Sequence, residues 1–320
     1  MPVESKLAHG EPLPANPYPQ SNDRYTAYES CRRLEGWTAW NAFMNDFPSA
    51  SDPPFVAILD AMPPIIAARV LGYGLLFAPN DIGRDALVRD ILACTQPELG
   101  VLAHLYVFGL VRVFHNPKGP TPAVTPAFTP RLSLEADAPN SHLVEPSSSN
   151  AAELRALFEW ARTVGAMIER FGGFNVHEVL GHDNIHSPNN AFTACADPHG
   201  MFDELDIWLT PAVNAQCQTI PDAYNVECAE GLEAALRATR VNRQVVFRSL
   251  SVNGKIIPAP DPRLIELHAA CAQIVHKSGT AELLREFYRD TDNIAVMTHP
   301  NAAYELSRAL RVLHLASATA

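Results

Sequence analysis

The segment from Phe174 to Asp206 reads FNVHEVLGHDNIHSPNNAFTACADPHGMFDELD. It holds four of the 12 histidines of the chain, and acidic residues lie between them. Histidine and carboxylate side chains transfer protons near neutral pH and bind metals. No other stretch of the 320 residues has this density of such groups. We therefore take this segment, which separates two regions with helical patterns, as the candidate site.

The sharpest pattern in the segment is HExxxH, formed by His177-Glu178-Val-Leu-Gly-His182. It resembles the zinc motif of the dipeptidyl peptidase III family of metallopeptidases. The resemblance covers these six residues and, loosely, YNVECAE further along the chain. It implies that His177 and His182 bind zinc and that Glu178 activates water. Glu227 or Glu230 would then complete the site.

The same residues also fit a short capped helix. Five residues of a regular α-helix turn the chain by about 500°, so His177 and His182 would point roughly 140° apart. Both can reach one metal only where a π-bulge or a helix end intervenes. Asn175 and Glu178 match the spacing of an N-terminal capping box. This alternative predicts a helix that ends at Gly181, followed by a loop fixed by hydrogen bonds.

A polar, histidine-rich loop between apolar helices is typical of general acid–base catalysis, because an imidazole needs only a modest shift to exchange protons near neutral pH. The candidate catalytic histidines are His182, His177 and His186. Asp183 or Asp203 would orient one of them by accepting its second N–H. The first hypothesis is an enzyme that acts on a small, largely apolar metabolite in a pocket between helices. The reaction would be of cyclase, isomerase or lyase type and would use no cofactor.

Two other classes of function stay open. The first is a metal-dependent hydrolase or oxygenase that holds zinc or iron through the HExxxH residues and a later glutamate. The second is a non-catalytic helical scaffold whose histidines satisfy loop carbonyls. The GxGxxG, GxxxxGK[ST] and GxSxG patterns do not occur, which argues against nucleotide binding and against a serine hydrolase of the nucleophile-elbow type.

The rest of the chain predicts a mainly α-helical fold, with about a dozen helices and one small β-hairpin near 245–257. Apolar residues at three- and four-residue intervals indicate the helices. Asn253-Gly254, flanked by β-branched residues, indicates the turn of the hairpin. Asp81 is the predicted N-cap of its helix. The predicted helices cover 29–47, segments within 53–114, a segment from 150 to the Gly172-Gly173 pair, 221–240, 262–277, 280–290 and 300–316.

Changes in composition divide the chain into four parts. A polar, proline-rich arm covers 1–27, and an N-terminal helical half covers 28–114. A segment with seven prolines, 115–150, is a linker or a crossing loop. The C-terminal half, 151–320, carries the histidine-rich loop. The two halves are separate domains or together form one.

The charge and composition of the whole chain indicate which classes of partner to expect. The net charge of −11 comes without a basic run, so nucleic-acid binding is not expected. The most apolar stretches are charged or short, which predicts no membrane span. Six scattered cysteines indicate buried thiols and not a disulfide framework. The absence of a leader pattern predicts a cytoplasmic protein. A small-molecule substrate is the expected partner, and the patterns do not fix an oligomeric state.

Overall fold

The structure, a computed structural model, describes residues 10–47, 59, 62–115, 162–181, 187–252 and 254–289. The N-terminal helices are α1 (Asp23–Glu35), α2 (Trp40–Asp46), α3 (Pro64–Phe77), α4 (Asp81–Ala93) and α5 (Glu98–Tyr106), which continues as a π-helical segment (Val107–Val111) and a last turn (Arg112–Phe114). Helix α6 covers 162–172. The later helices are α7 (Val176–Leu180), α8 (Ala196–Asp203), α9 (Glu233–Ala238), α10 (Pro262–Ser278) and α11 (Thr280–Arg289). The strands are β1 (Ile207–Val213), β2 (Thr219–Cys228), β3 (Gln244–Val246), β4 (Leu250–Val252) and β5 (Lys255–Ile257). The mainly α-helical prediction is confirmed.

Proline and asparagine at the predicted starts explain several of these helices. Pro64 is the first residue of α3, where its missing N–H needs no partner. The N-cap of α4 is Asn80, whose side chain accepts a hydrogen bond from the Gly83 N–H at 2.9 Å. The assignment of Asp81 as this cap is therefore wrong by one residue, and Asp81 instead supplies a negative charge in the first turn.

The predicted helix over 29–47 is in fact two helices. Gly36 ends α1, and α2 begins at Trp40 after a short extended connection. The apolar spacing continues across the break, because Leu34, Trp40 and Phe43 are all buried in the same core. The apolar spacing therefore identified the buried residues correctly, but it did not reveal the break between α1 and α2.

The prediction of a helix over 221–240 is wrong for its first half. Residues Thr219–Cys228 form β2, the central strand of an antiparallel sheet in the order β1-β2-β3. Tyr224 and Val226 are buried, while Glu227, next to Val226 on the same strand, is exposed. Tyr224 and Cys228 are four residues apart, an interval that fits one face of a helix and also the two-residue repeat of a strand. The apolar spacing alone therefore did not separate the two structures.

The predicted hairpin is confirmed. Strands β4 and β5 pair antiparallel, with Val252 opposite Lys255, so the connection is the two-residue turn at 253–254. Gly254 has a φ of 76°, which glycine adopts without strain. The predicted helix at 300–316, all of the linker after its first residue, and the start of the helix at 150 lie outside the described residues.

Residues 10–22 of the segment interpreted as an arm lie against the helices, and the remaining residues up to 27 already belong to α1. The Arg69 side chain donates a hydrogen bond to the Gly10 carbonyl at 2.8 Å. The Glu11 N–H donates to the Lys277 carbonyl at 2.8 Å. The Tyr18 hydroxyl donates to the Leu75 carbonyl at 2.8 Å. The segment therefore contacts both α3 and the end of α10.

Helix α3 is buried over most of its surface and packs against α1, α4, α5 and α10. Helix α10 has neighbours of two kinds. Most of its apolar residues join the large helical core, whereas Ile265 belongs to a second, smaller core with Leu209 and Val226 of the sheet. Helix α10 therefore lies between the two cores, and the site described below includes two of its side chains.

Among the described residues, no helix combines the length and the apolar character that crossing a membrane requires. All six cysteines lie in the described part and none forms a disulfide. Cys31 and Cys271 are buried, as the sequence predicts, but Cys195 and Cys217 are exposed. The prediction of buried thiols is therefore wrong for the latter two.

A buried ion pair joins α4, α5 and α6. Asp90 of α4 is 1% exposed and accepts a bidentate hydrogen bond from Arg170 of α6, with Nε 2.7 Å from Oδ2. The Tyr106 hydroxyl of α5 donates to the same carboxylate at 3.4 Å. Removal of one partner would leave the other charge without compensation away from water.

We expect Asp90→Asn to lower the free energy of unfolding by about 3–5 kcal/mol, because Arg170 loses its counter-charge. Urea denaturation monitored by circular dichroism measures the change. The exposed pair between Arg32 and Glu29 provides the matched control, and Arg32→Gln should cost at most about 0.5 kcal/mol. An effect of Asp90→Asn as small as that control would contradict the structural role of the pair.

Candidate functional site

The structure confirms the short capped helix within the histidine-rich segment. The Asn175 side chain accepts hydrogen bonds from the backbone N–H of His177 at 2.9 Å and of Glu178 at 3.3 Å. Helix α7 has five residues and ends at Gly181, whose N–H donates to the His177 carbonyl. His177 and Glu178 are both exposed on this helix. Helix α7 is therefore one short turn that presents these side chains outward.

The other predicted catalytic residues have different outcomes. His182, Asp183 and His186 lie outside the described residues, so their roles stay predictions. Asp203, the last residue of α8, is partly buried and lies beside His199, with Nδ1 3.5 Å from Oδ2. Because His199 is four residues earlier on the same helix and 62% exposed, this is a surface pair. The predicted role of Asp203 in orienting His177, His182 or His186 stays a prediction.

Both glutamates that were predicted to complete a zinc site are described. Glu227 lies on β2, where it accepts hydrogen bonds from the Trp208 indole at 3.0 Å and the Thr210 hydroxyl at 2.7 Å. Glu230 is exposed in the following turn. Within the described ranges, no group of three histidine, cysteine, aspartate or glutamate side chains is placed to hold a metal ion. The zinc or iron alternative stays a prediction, since His182 is outside those ranges.

Two histidines that were not predicted as site residues lie against the end of the histidine-rich segment, one of them buried and the other partly buried. They are His268 and His276 of α10, and they contact the junction between α8 and β1. We call this contact the histidine seam and define it as His268, His276, Leu205, Asp206 and Arg285. The signal in the sequence was weak, because histidines eight residues apart in an apolar helix resemble ordinary core positions.

His268 has an aromatic environment and one fixed nitrogen. Its Nε2 lies 3.1 Å from the Phe202 carbonyl, and its ring stacks on the Phe202 ring with centroids 3.6 Å apart. The Phe114 ring meets the imidazole edge-on at 6.0 Å. Since a carbonyl only accepts, Nε2 carries the proton of the neutral ring. The Nδ1 atom is then a lone-pair acceptor, and it has no hydrogen-bond partner among the described residues.

Like His268, His276 has its Nε2 directed at a backbone carbonyl, and it also lies beside a carboxylate. Its Nε2 donates to the Leu205 carbonyl at 3.1 Å and lies 3.6 Å from Asp206 Oδ1. Arg285 of α11 holds that same carboxylate oxygen at 3.4 Å. In the neutral ring Nδ1 is again the basic nitrogen, and a proton taken up there would be stabilised by Asp206.

The backbone at the junction is strained. Leu205 has a φ of 62°, in the left-handed region that residues other than glycine rarely adopt, and its side chain is fully buried. This conformation belongs to the residue whose carbonyl accepts the His276 hydrogen bond. Strain of this kind often lies at functional sites, where surrounding contacts maintain it.

Burial keeps the seam histidines neutral. Desolvation lowers the pKa of His268 to about 4. Burial also lowers the pKa of His276, and the charge of Arg285 lowers it further, against the opposing effect of the Leu205 carbonyl. His115 at the end of α5 is buried, and desolvation with the charges of Arg285 and His276 lowers its pKa to about 4. At neutral pH these imidazoles are therefore proton acceptors and not cations.

The geometry combines the elements of an acid–base centre: a neutral imidazole, a carboxylate behind it and a nearby fixed cation. It lies at the apolar boundary between the two cores, where Trp208 stacks loosely on His276 at 6.1 Å. No family model matches the chain, and neither a curated protein nor a solved structure matches it. The chemistry of the site is therefore inferred from its side chains alone.

We predict that acid destabilises the fold through the buried histidines. Because the folded-state pKa of His268 is below the unfolded value near 6.5, only the unfolded state binds the proton as the pH falls between these values. The free energy of unfolding should therefore decrease, by about 1.4 kcal/mol per pH unit for this histidine. In His268→Gln the slope between about pH 6 and pH 5 should be smaller by that amount.

Urea denaturation at a series of pH values provides the measurement. His268→Leu is the matched control: it should show the same reduced slope, but it should also be less stable at pH 7 because it loses the bond to the Phe202 carbonyl. A slope in His268→Gln equal to that of the unsubstituted protein would contradict the prediction.

A second prediction concerns His276. The charge of Arg285 lowers its pKa, so Arg285→Gln should move the His276 titration midpoint to higher pH. Removal of the arginine also leaves the charges of Asp206 and Glu282 uncompensated, which acts in the same direction. NMR titration of the imidazole resonances measures the midpoint. Arg32→Gln on α1 is the control, and an unchanged or lower midpoint in Arg285→Gln would refute the electrostatic assignment.

Proposed function

We propose that the chain is an enzyme that transforms a small, largely apolar molecule by acid–base chemistry of the cyclase, isomerase or lyase type. The observation that carries the proposal is the pair formed by His276 and Asp206, in which one ring nitrogen is fixed and the other is free to accept a proton. Such a base, oriented by a carboxylate and partly shielded from water, is the usual device for moving protons on an organic substrate.

Each group of the pair has a distinct role in this proposal. His276 Nδ1 removes a proton from the substrate, and the resulting imidazolium returns a proton at the product stage. Asp206 stabilises the imidazolium, while Arg285 holds the carboxylate in place and balances its charge. Isomerisation needs only this return of the proton to another atom, and elimination needs in addition that a leaving group depart. Neither reaction requires a cofactor.

The apolar surroundings support the choice of substrate. The seam lies between two cores of apolar and aromatic residues, and its histidines contact the rings of Phe202, Phe114 and Trp208. Ligand sites for small metabolites commonly combine such surfaces with a few convergent polar groups. The net charge of −11 argues against a nucleic-acid partner, and the unpaired cysteines are consistent with a cytoplasmic location.

The loop residues predicted from the sequence are an alternative catalytic centre for the same proposed reaction. Segment 187–190 is joined to the start of α10, where the Asp261 N–H donates to the Asn189 carbonyl at 2.7 Å. Asp261 and His276 are about 22 Å apart along the helix axis, at 1.5 Å per residue. A catalytic centre built on His182, Asp183 and His186 is the alternative that the sequence predicts for the same class of reaction, and the experiment compares the two sets of residues.

Incubation with fractionated apolar metabolites, followed by mass spectrometry, reveals compounds that the protein converts into an isomer or a dehydrated product. We expect His276→Gln to reduce such turnover by about 10²–10⁴-fold, the usual contribution of a general base. Asp206→Asn should reduce it less, and the surface variant Arg32→Gln should leave it unchanged.

The same assay on His182→Gln and His186→Gln separates the two locations. Loss of turnover only in these variants would place the base in the predicted loop and reject the seam. Full turnover in all the histidine variants would reject acid–base catalysis by either set.

A further inference from the structure

His104 is a second buried histidine with unusual surroundings. It lies within α5, is 2% exposed, and neither ring nitrogen has a hydrogen-bond partner among the described residues. Its ring packs against Phe108, with ring centroids 4.5 Å apart and planes tilted by 39°. The adjoining residues of α5, such as Leu102 and Leu105, are fully buried in the large apolar core.

The helix changes form directly after this histidine. Val107–Val111 is π-helical, and the Arg112 N–H donates to the Val107 carbonyl five residues earlier. A π-helical turn is wider than an α-helical turn and is frequent at functional sites. Phe108, against which His104 packs, is part of this segment. The buried ring of His104 and the π-helical segment therefore lie within about one helical turn of each other.

The energetics of His104 favour a functional explanation. A neutral imidazole has one N–H donor and one lone pair, and burial without partners carries the desolvation penalty of both. A leucine at this position would avoid that penalty. Residues that lower stability in this way are typical of sites that serve a ligand. Burial lowers the pKa of His104 to about 4, so the ring stays neutral in ordinary buffers.

We propose that His104 is the polar contact of a second small-molecule site, which takes an uncharged, mostly apolar molecule carrying one hydroxyl or carbonyl group. A hydroxyl either donates to the lone pair of one ring nitrogen or accepts from the N–H of the other, and a carbonyl accepts from the N–H. An ion would lose its hydration in this apolar core without an opposing charge on His104. His115, at the seam end of α5, is roughly 16 Å further along the helix. The site is therefore separate from the proposed reaction and does not depend on it.

Phenol and toluene test the proposal, since they have similar size and differ in the hydroxyl group. Long-range ¹H–¹⁵N NMR of the full-length protein reports on each histidine ring nitrogen. We expect phenol, but not toluene, to shift the His104 nitrogens. His104→Leu should weaken phenol binding at least tenfold. If phenol leaves the His104 signals unchanged, or binds His104→Leu as tightly as the unsubstituted protein, the proposal is overturned.

Thermal denaturation distinguishes a ligand-binding role of His104 from a purely structural one. His268 is buried to a similar degree but has a carbonyl partner, so His268→Leu should lower Tm by roughly 2–4 °C. His104→Leu should leave Tm unchanged or raise it. A fall equal to that of His268→Leu would mean that His104 has a structural partner, and this result would also overturn the proposal.

Discussion

The position of α10 between two apolar cores is the constraint on which the rest of the structure depends. A helix buried on two sides must pair every polar atom that it carries inward, because an unpaired group away from water lowers stability. His268 and His276 each pair one ring nitrogen, Nε2, by donating to the carbonyls of Phe202 and Leu205. Carbonyls at a helix end need partners from outside the helix. The two bonds therefore attach the end of α8 to α10 and fix the start of β1.

The same hydrogen bonds determine the chemistry of the seam. They select the tautomer in which Nε2 carries the proton, so that the basic nitrogen of each ring is Nδ1. They also bring Asp206 beside His276, because the strained Leu205 directs the chain from α8 into β1. A structural requirement, the pairing of buried polar atoms, thus produces an oriented and neutral base. His104 differs because no such bond satisfies it, and this difference separates a supporting histidine from one that is available to a ligand.

Local signals in the sequence predicted much of the fold. Asn175 and Gly181 mark both ends of α7, Pro64 marks the start of α3, and Asn253-Gly254 marks the hairpin. These signals act through hydrogen bonds and dihedral angles within a few residues. The errors arose where a local pattern fits two structures. Tyr224 and Cys228 satisfy the repeats of both helix and strand, and the apolar stripe of α1 and α2 continues across Gly36.

The sequence by itself determined the helical class of the fold, the positions of most helix ends and the concentration of histidines in one segment. It did not determine which histidines are buried. His177 is exposed, whereas His268 is buried and His276 is partly buried beside a carboxylate, although all three occur in segments with apolar neighbours. Only the tertiary structure decided this, because the carbonyl partners of His268 and His276 lie 66 and 71 residues away along the chain. The pKa of an imidazole depends on such neighbours and on burial, and neither is encoded in nearby residues.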